Sequence, residues 1–303
     1  MKLSLIIYLC LAIFSGQLSF PQTDRSEFLK PSDTLNTVRK NTVIIAQSST
    51  AAASLIALDR LWYADFPRSS FKTIDDSDEW LQMDKMGHVF SAYQLSRLGA
   101  ESLNWSGASK KNQVLYGALL STGFLTSIEI MDGFSAEWGF SWSDIAANSL
   151  GTGLFVGQEL LWHEQRILLK YSFHRTSFAK QRPDKLGESF LEEVFKDYNG
   201  QTYWLSANIH SFFKTTKIPR WLNFAVGYGA DGMLSGLSEG PIGLPEQNRQ
   251  RQFYLSLDID FSRIHTKSHF LRTVFSVINT LKIPFPTIEI NPTKGVTVHL
   301  LYY

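Results

Sequence analysis

The chain has 303 residues, enough for one large domain or two modest ones with a sizeable core. Its 29 basic and 28 acidic residues leave a formal charge of +1, without the gathered basic excess that a nucleic-acid partner wants. Charged residues make up only 19% and aromatic residues 14%, so the chain is either tightly packed or in contact with lipid.

The first residues, "MKLSLIIYLCLAIFSGQLSF", place one lysine before an apolar run and then small and polar residues. This predicts a secretory signal peptide over residues 1–19 and an exported protein. The only cysteine, Cys10, lies inside the apolar run, so the mature chain is expected to hold no disulfide and no thiolate ligand. Tyr8 and Leu9 precede Cys10 where a lipobox wants a small residue, so lipidation there is not expected. Residues 20–40 are polar and carry two prolines, a loose lead-in.

Hydrophobic stretches of helical length follow. Residues 41–58, "NTVIIAQSSTAAASLIAL", and 112–128, "NQVLYGALLSTGFLTSI", carry no charge. Between them, residues 84–103 mix apolar positions with Asp, Lys, His, Arg and Glu. A fourth stretch, from Ile145 to Gln158, runs on into "ELLWHEQRILL". Strand-like alternation is absent, so about four helices are predicted over residues 41–170, forming a hydrophobic bundle associated with a membrane or embedded in it. Residues 171–200 read as a polar linker, with a short amphipathic helix near Leu186–Asp197. Residues 201–303 change character: "TYWLSANIHSFF", "WLNFAVGYGA", "RQFYLSLDIDFSRI" and "GVTVHLLYY" are aromatic, β-branched and partly alternating. They predict antiparallel strands, with a helix at "HFLRTVFSVINTLKI". The fold class is α+β, helical first and β-rich second. Four or five strands are too few to close a membrane barrel, where eight is the usual minimum.

Polar residues within the helical half are few. Asp84 and His88, spaced i, i+4, share a helix face beside Lys85. Glu129 and Asp132 end the third stretch, and Asp144 and Asn148 start the fourth. The short loop "DGFSAEWGFSWSD" forces those two helix ends together. If the second helix joins them, four carboxylates face one His and one Lys, and the excess negative charge needs shared protons, a bound cation or water. Asp84, Lys85, His88, Glu129, Asp132 and Asp144 are therefore the candidate catalytic cluster. Of these, His88, Glu129, Asp132 and Asp144 are candidate ligands for a divalent cation. Helix capping offers a structural reading: Asp84 as an N-cap, Ser141–Asp144 as a capping box and Asp132-Gly133 as a helix exit. Capping leaves His88 and Glu129 unexplained. Gly227, Gly229 and Gly232 spell G-x-G-x-x-G without a following helix, and "HEQRI" at His163 lacks the second His of a zincin, so neither is taken as a site.

The order W-x-x-x-D-K-x-x-H-x-F from Trp80 to Phe90, E-x-x-D at Glu129–Asp132 and G-F-S-W-S-D from Gly139 to Asp144 resembles the YfiM-like family of predicted periplasmic lipoproteins. With Asp144, Asn148 and Gly151 it is also similar to the VanZ-like membrane proteins. The resemblance covers about Trp80–Trp162 and implies a cell-envelope location and a helical domain, with no established reaction. The long β-rich region is a departure from the short family members. Two functional readings follow. One is acid–base or metal-assisted chemistry on an envelope lipid or glycan. The other is a non-enzymatic envelope protein whose polar motifs lock helices while the β-rich region docks a protein partner or a membrane surface.

Overall fold

The computed structural model of the protein describes residues 28–61, 63–214, 217–237 and 248–302. The signal-peptide reading, Cys10, the start of the lead-in and the segment "SEGPIGLPEQ" lie outside these residues. Helices come first and an antiparallel sheet second, as the sequence predicts. The chain divides into two compact units, Met1–Asp76 with Ser91–Glu159, and Ser77–Phe90 with Leu160–Tyr303.

The long helices are α1 (Thr37–Leu61), α2 (Met83–Asn104), α3 (Lys110–Gly133) and α4 (Trp142–Trp162). The first unit holds α1, α3, most of α2 and most of α4. Small residues set its packing. A Cβ on Gly117 of α3 would lie 2.2 Å from the Ser96 carbonyl of α2, so only glycine lets the two backbones approach this closely. Ser121 donates to the Ala92 carbonyl at 2.9 Å and sits 3.3 Å from the Thr152 hydroxyl, tying α3 to both α2 and α4. Gly107, at φ +71°, makes the turn from α2 to α3 against the Thr34 carbonyl. Ser109 then caps α3 by accepting from the Asn112 N–H. The apolar residues largely point the other way: Ile45, Ile56, Leu115, Leu119 and Leu150 are exposed. The segments Thr37–Arg60 and Lys110–Gly133 are long and apolar enough to cross a membrane.

The fourth hydrophobic run does not continue as helix through Leu169. His163 adopts a left-handed φ of 55° after Trp162, and Ile167–Phe173 is a strand, β3. The β-branched and aromatic residues there follow the sheet rather than the preceding helical period. The sheet has six strands in the order β3-β4-β5-β6-β7-β8, every pair antiparallel. The others are β4 (Gln201–Asn208), β5 (Leu222–Asp231), β6 (Gln250–Ile259), β7 (Phe285–Asn291) and β8 (Gly295–Tyr302). The two strands beyond those read from sequence are β3, hidden in the helical run, and β7, broken by Pro286. A short helix, α5 (Phe190–Lys196), precedes β4, and an amphipathic one, α6 (His269–Ile278), precedes β7. Gly227 and Gly229 lie inside β5, and a Cβ on Gly227 would come 2.8 Å from the Trp204 ring. Gly227 thus makes room for the Trp204 indole, and Gly232, at φ +78°, turns the chain at the end of β5.

The sheet curls on itself. Tyr302 of β8 reaches Thr202 of β4 across three intervening strands, hydroxyl to hydroxyl at 3.1 Å. The far edge of β3 takes backbone bonds from the segment before β7: Tyr171 donates to the Thr280 carbonyl and accepts from the Lys282 N–H. The concave face is buried and mixes an aromatic cluster of Trp204, Tyr254 and Tyr302 with many polar side chains. Lys170 and Asp258 form an ion pair at 2.8 Å with neither side chain exposed, and Ser206 donates to the same carboxylate. Asn223 donates to Ser206, Trp204 donates to Ser172, and Glu289 accepts from Gln252. Lys282 sits 5.0 Å from the Trp204 ring centre, and burial pushes its ammonium down to about 8.

Candidate functional site

Asp84, Lys85 and His88 belong to the second unit, while Glu129, Asp132 and Asp144 belong to the first. Each unit thus carries three of the six candidates.

The first group rides on the start of α2. Trp80, Leu81 and Gln82 precede it with φ of 49°, 51° and 63°, three consecutive non-glycine residues in the left-handed region. Such a conformation costs about 1 kcal/mol or more per residue and persists only where neighbours impose it. Here the Trp80 N–H donates to the Gly236 carbonyl at 2.7 Å, and Tyr228 donates its hydroxyl to the Leu81 carbonyl. Met83 is fully buried with Tyr203, Ala230 and Met233, and Phe90 packs against the Tyr171 and Tyr203 rings. The sheet thus seats the start of α2. Gly87 fits this contact, since a Cβ there would lie 3.0 Å from the Tyr203 hydroxyl.

Asp84 is not the N-cap. It occupies the first turn of α2, which begins at Met83. One carboxylate oxygen accepts from the Tyr198 hydroxyl at 2.7 Å, and the other accepts from Lys85 at 3.0 Å. His88 Nε2 lies 3.9 Å from the Asp84 oxygen that Tyr198 bonds, one helical turn on. Burial works against the charge of Asp84. The charges of His88 and Lys85 and the hydrogen bonds from Tyr198 and Lys85 outweigh it and hold the carboxyl below its ordinary range. The Asp84, Lys85 and His88 side chains stay partly open, at 25%, 12% and 19% exposure, so the group is not sealed in the core.

The second group is built around β1 (Thr73–Ile74) and β2 (Phe140–Ser141), a short parallel pair at the end of α3. Glu129 is buried, and its Oε2 accepts from the Ser141 N–H at 3.3 Å. The Ser141 hydroxyl accepts from the Asp144 N–H at 3.1 Å, the capping-box bond that "SWSD" predicts. Ser141 and Ser143 each lie 2.7 Å from the same oxygen of Asp76 and donate to it. Asp132, next to the end of α3 at Gly133, accepts from the Tyr63 hydroxyl at 2.6 Å. Burial, then the neighbouring Asp132 and Glu129 charges, push the Tyr63 phenol well above its ordinary value. Asp144 and Asn148 are buried one turn apart on α4.

Sequence reading missed Tyr198, Tyr63 and Asp76. Asp76 stands in the acidic run "DDSDEW", which singled out no one residue. The two tyrosines carry no local signal, because each acts on a carboxylate distant in sequence.

Residues 74–157 match the family described as predicted periplasmic lipoprotein (DUF2279). The match covers nearly the same residues as the YfiM-like resemblance. It agrees with the exported, envelope-associated location read from the sequence, and the family's function is uncharacterised. No curated protein and no solved structure matches the chain.

Proposed function

We propose that this envelope protein carries out acid–base chemistry, assisted by a divalent cation, on a membrane lipid or glycan. The observation that carries the reading is the Asp84–His88 pair on the first turns of α2. His88 is the proton carrier, because imidazole changes charge near neutral pH. Asp84 orients it and balances its charge, and is itself fixed by Tyr198 and Lys85. Glu129, Asp132 and Asp144 are hard oxygen donors suited to a divalent cation. In this reading the four long helices work as one hydrophobic bundle at a membrane, as the two long apolar helices and the VanZ-like order of residues support.

The test is metal content and envelope phenotype together. Purified protein is expected to bind a divalent cation that Glu129→Gln weakens, and His88→Ala is expected to abolish function while leaving the fold intact. An ion-free protein whose two variants keep full function and stability would remove the proposal.

A structural reading has its own support. The Ser141 cap, the Tyr63–Asp132 bond and the Glu129–Ser141 bond all hold loops to helix ends. On that reading Glu129→Gln lowers stability and leaves metal binding and function unchanged.

A further inference from the structure

The sheet is inverted relative to one folded for water. On its convex face the exposed residues of β5, β6 and β7 are Phe224, Val226, Phe253, Leu257, Ile288 and Ile290. Register makes this one continuous surface: Phe224 pairs with Leu257, and Phe253 pairs with Ile290. The intervening positions on the same strands are buried and mostly polar, among them Asn223, Ser256, Asp258, Thr287 and Glu289, with Ala225 and Tyr254 packed between them. In a water-soluble sheet the alternation runs the other way, with the apolar side packed on a core. A single slip of register would exchange the faces. The buried network on the concave side fixes the register, through the Lys170–Asp258 pair and the Thr287–Ser256 bond at 3.0 Å.

We propose that the convex face of β5–β7 lies against the acyl chains of a membrane. Chemistry selects this occupant. Between Phe224 and Ile290 the face offers no charged side chain, and Arg251 stands at its rim beside Gln82. A protein partner would need hydrogen-bonding groups, about one per 100–200 Å² of interface, and this face supplies almost none. Hydrocarbon needs none. Arg251, at the edge of the apolar band, suits the depth of anionic headgroups. The exposed apolar positions run from Phe224 to Val226 on β5 and from Phe253 to Leu257 on β6, and beyond them Tyr228 and Arg251 meet Leu81 and Gln82 at the start of α2.

The inference is independent of the Asp84–His88 chemistry, and its test is site-specific. Full-length protein carrying Cys10→Ser receives one nitroxide at Phe224→Cys, Phe253→Cys or Ile288→Cys. A water-facing control carries it at Glu188→Cys on the exposed turn before α5. The protein is reconstituted into phosphatidylethanolamine–phosphatidylglycerol vesicles, and collisions with oxygen and with a neutral nickel chelate are measured. The three sheet positions are expected to meet oxygen several-fold more than nickel, with the reverse at Glu188. Nickel access at the sheet positions equal to that at Glu188 would show a water-facing surface and overturn the proposal. Shielding from both reagents, with spin–spin broadening at high protein density, would show a second copy on the face and overturn it equally.

Discussion

The helical unit and the sheet solve one problem with different chemistry. Each turns apolar residues outward: Ile45, Leu115 and Leu119 on the helices, Phe253, Ile288 and Ile290 on the sheet. The helices then pack through what is small. Gly117, Ser96 and Ser121 let the backbones approach, and a helix satisfies its own backbone groups. The sheet packs through what is polar. Its interior is a hydrogen-bonded network about a buried ion pair, and its curl brings Thr280–Lys282 to the edge of β3. The comparison teaches that a chain can be well packed and still present extended apolar surface on both its helices and its sheet. Low charge and high aromatic content follow from that.

The sharpest way to break the comparison is inside the sheet. Lys170→Met leaves Asp258 buried without its cation and is expected to cost about 3–5 kcal/mol in denaturant unfolding. The double variant Lys170→Met/Asp258→Leu should recover much of it, since the pair is replaced by packing. In the helices the equivalent lesion is steric. Gly117→Val forces α2 and α3 apart and is expected to cost about 1–3 kcal/mol. Gly123→Ala, where a Cβ meets nothing within 4 Å, should stabilise by about 0.5–1 kcal/mol. Equal effects at the two glycines would show that close helix approach does not set the packing.

How much of this was legible in sequence depends on the range of the signal. The helical period, the SWSD cap and the α+β order are local, and the structure holds them. The run Ile167–Leu169 misleads because a short apolar stretch after a helix reads as more helix, and only its pairing with β4 makes it a strand. Pro286 hides β7 in the same way. At the candidate site, Asp84, Lys85 and His88 stood out as polar residues in an apolar run. Tyr198 lies 114 positions from Asp84 along the chain, so no spacing rule could find it.

Smaller effects sharpen the picture at the helix starts. Ser141→Ala removes the cap of α4 and is expected to cost about 1 kcal/mol, read as a lower unfolding midpoint. Asp84 acts through pH. Its folded carboxyl is held low, so the stability it contributes is full above its unfolded value of about 3.9 and is lost as pH falls through the lower folded value. Unfolding measured from pH 7 down to pH 2.5 should show that acid loss in the native chain, and a shallower one in Asp84→Asn.

The most direct test of the account compares fold with function at the same residue. Asp84→Asn keeps the shape and the Tyr198 contact but removes the charge that balances His88. In a strain lacking the native copy and challenged with a detergent, this variant is expected to accumulate normally and unfold within a few degrees of the native protein. It is also expected to fail to restore envelope integrity. Full restoration by Asp84→Asn, and by His88→Gln beside it, would contradict the claim that this pair does the protein's chemistry.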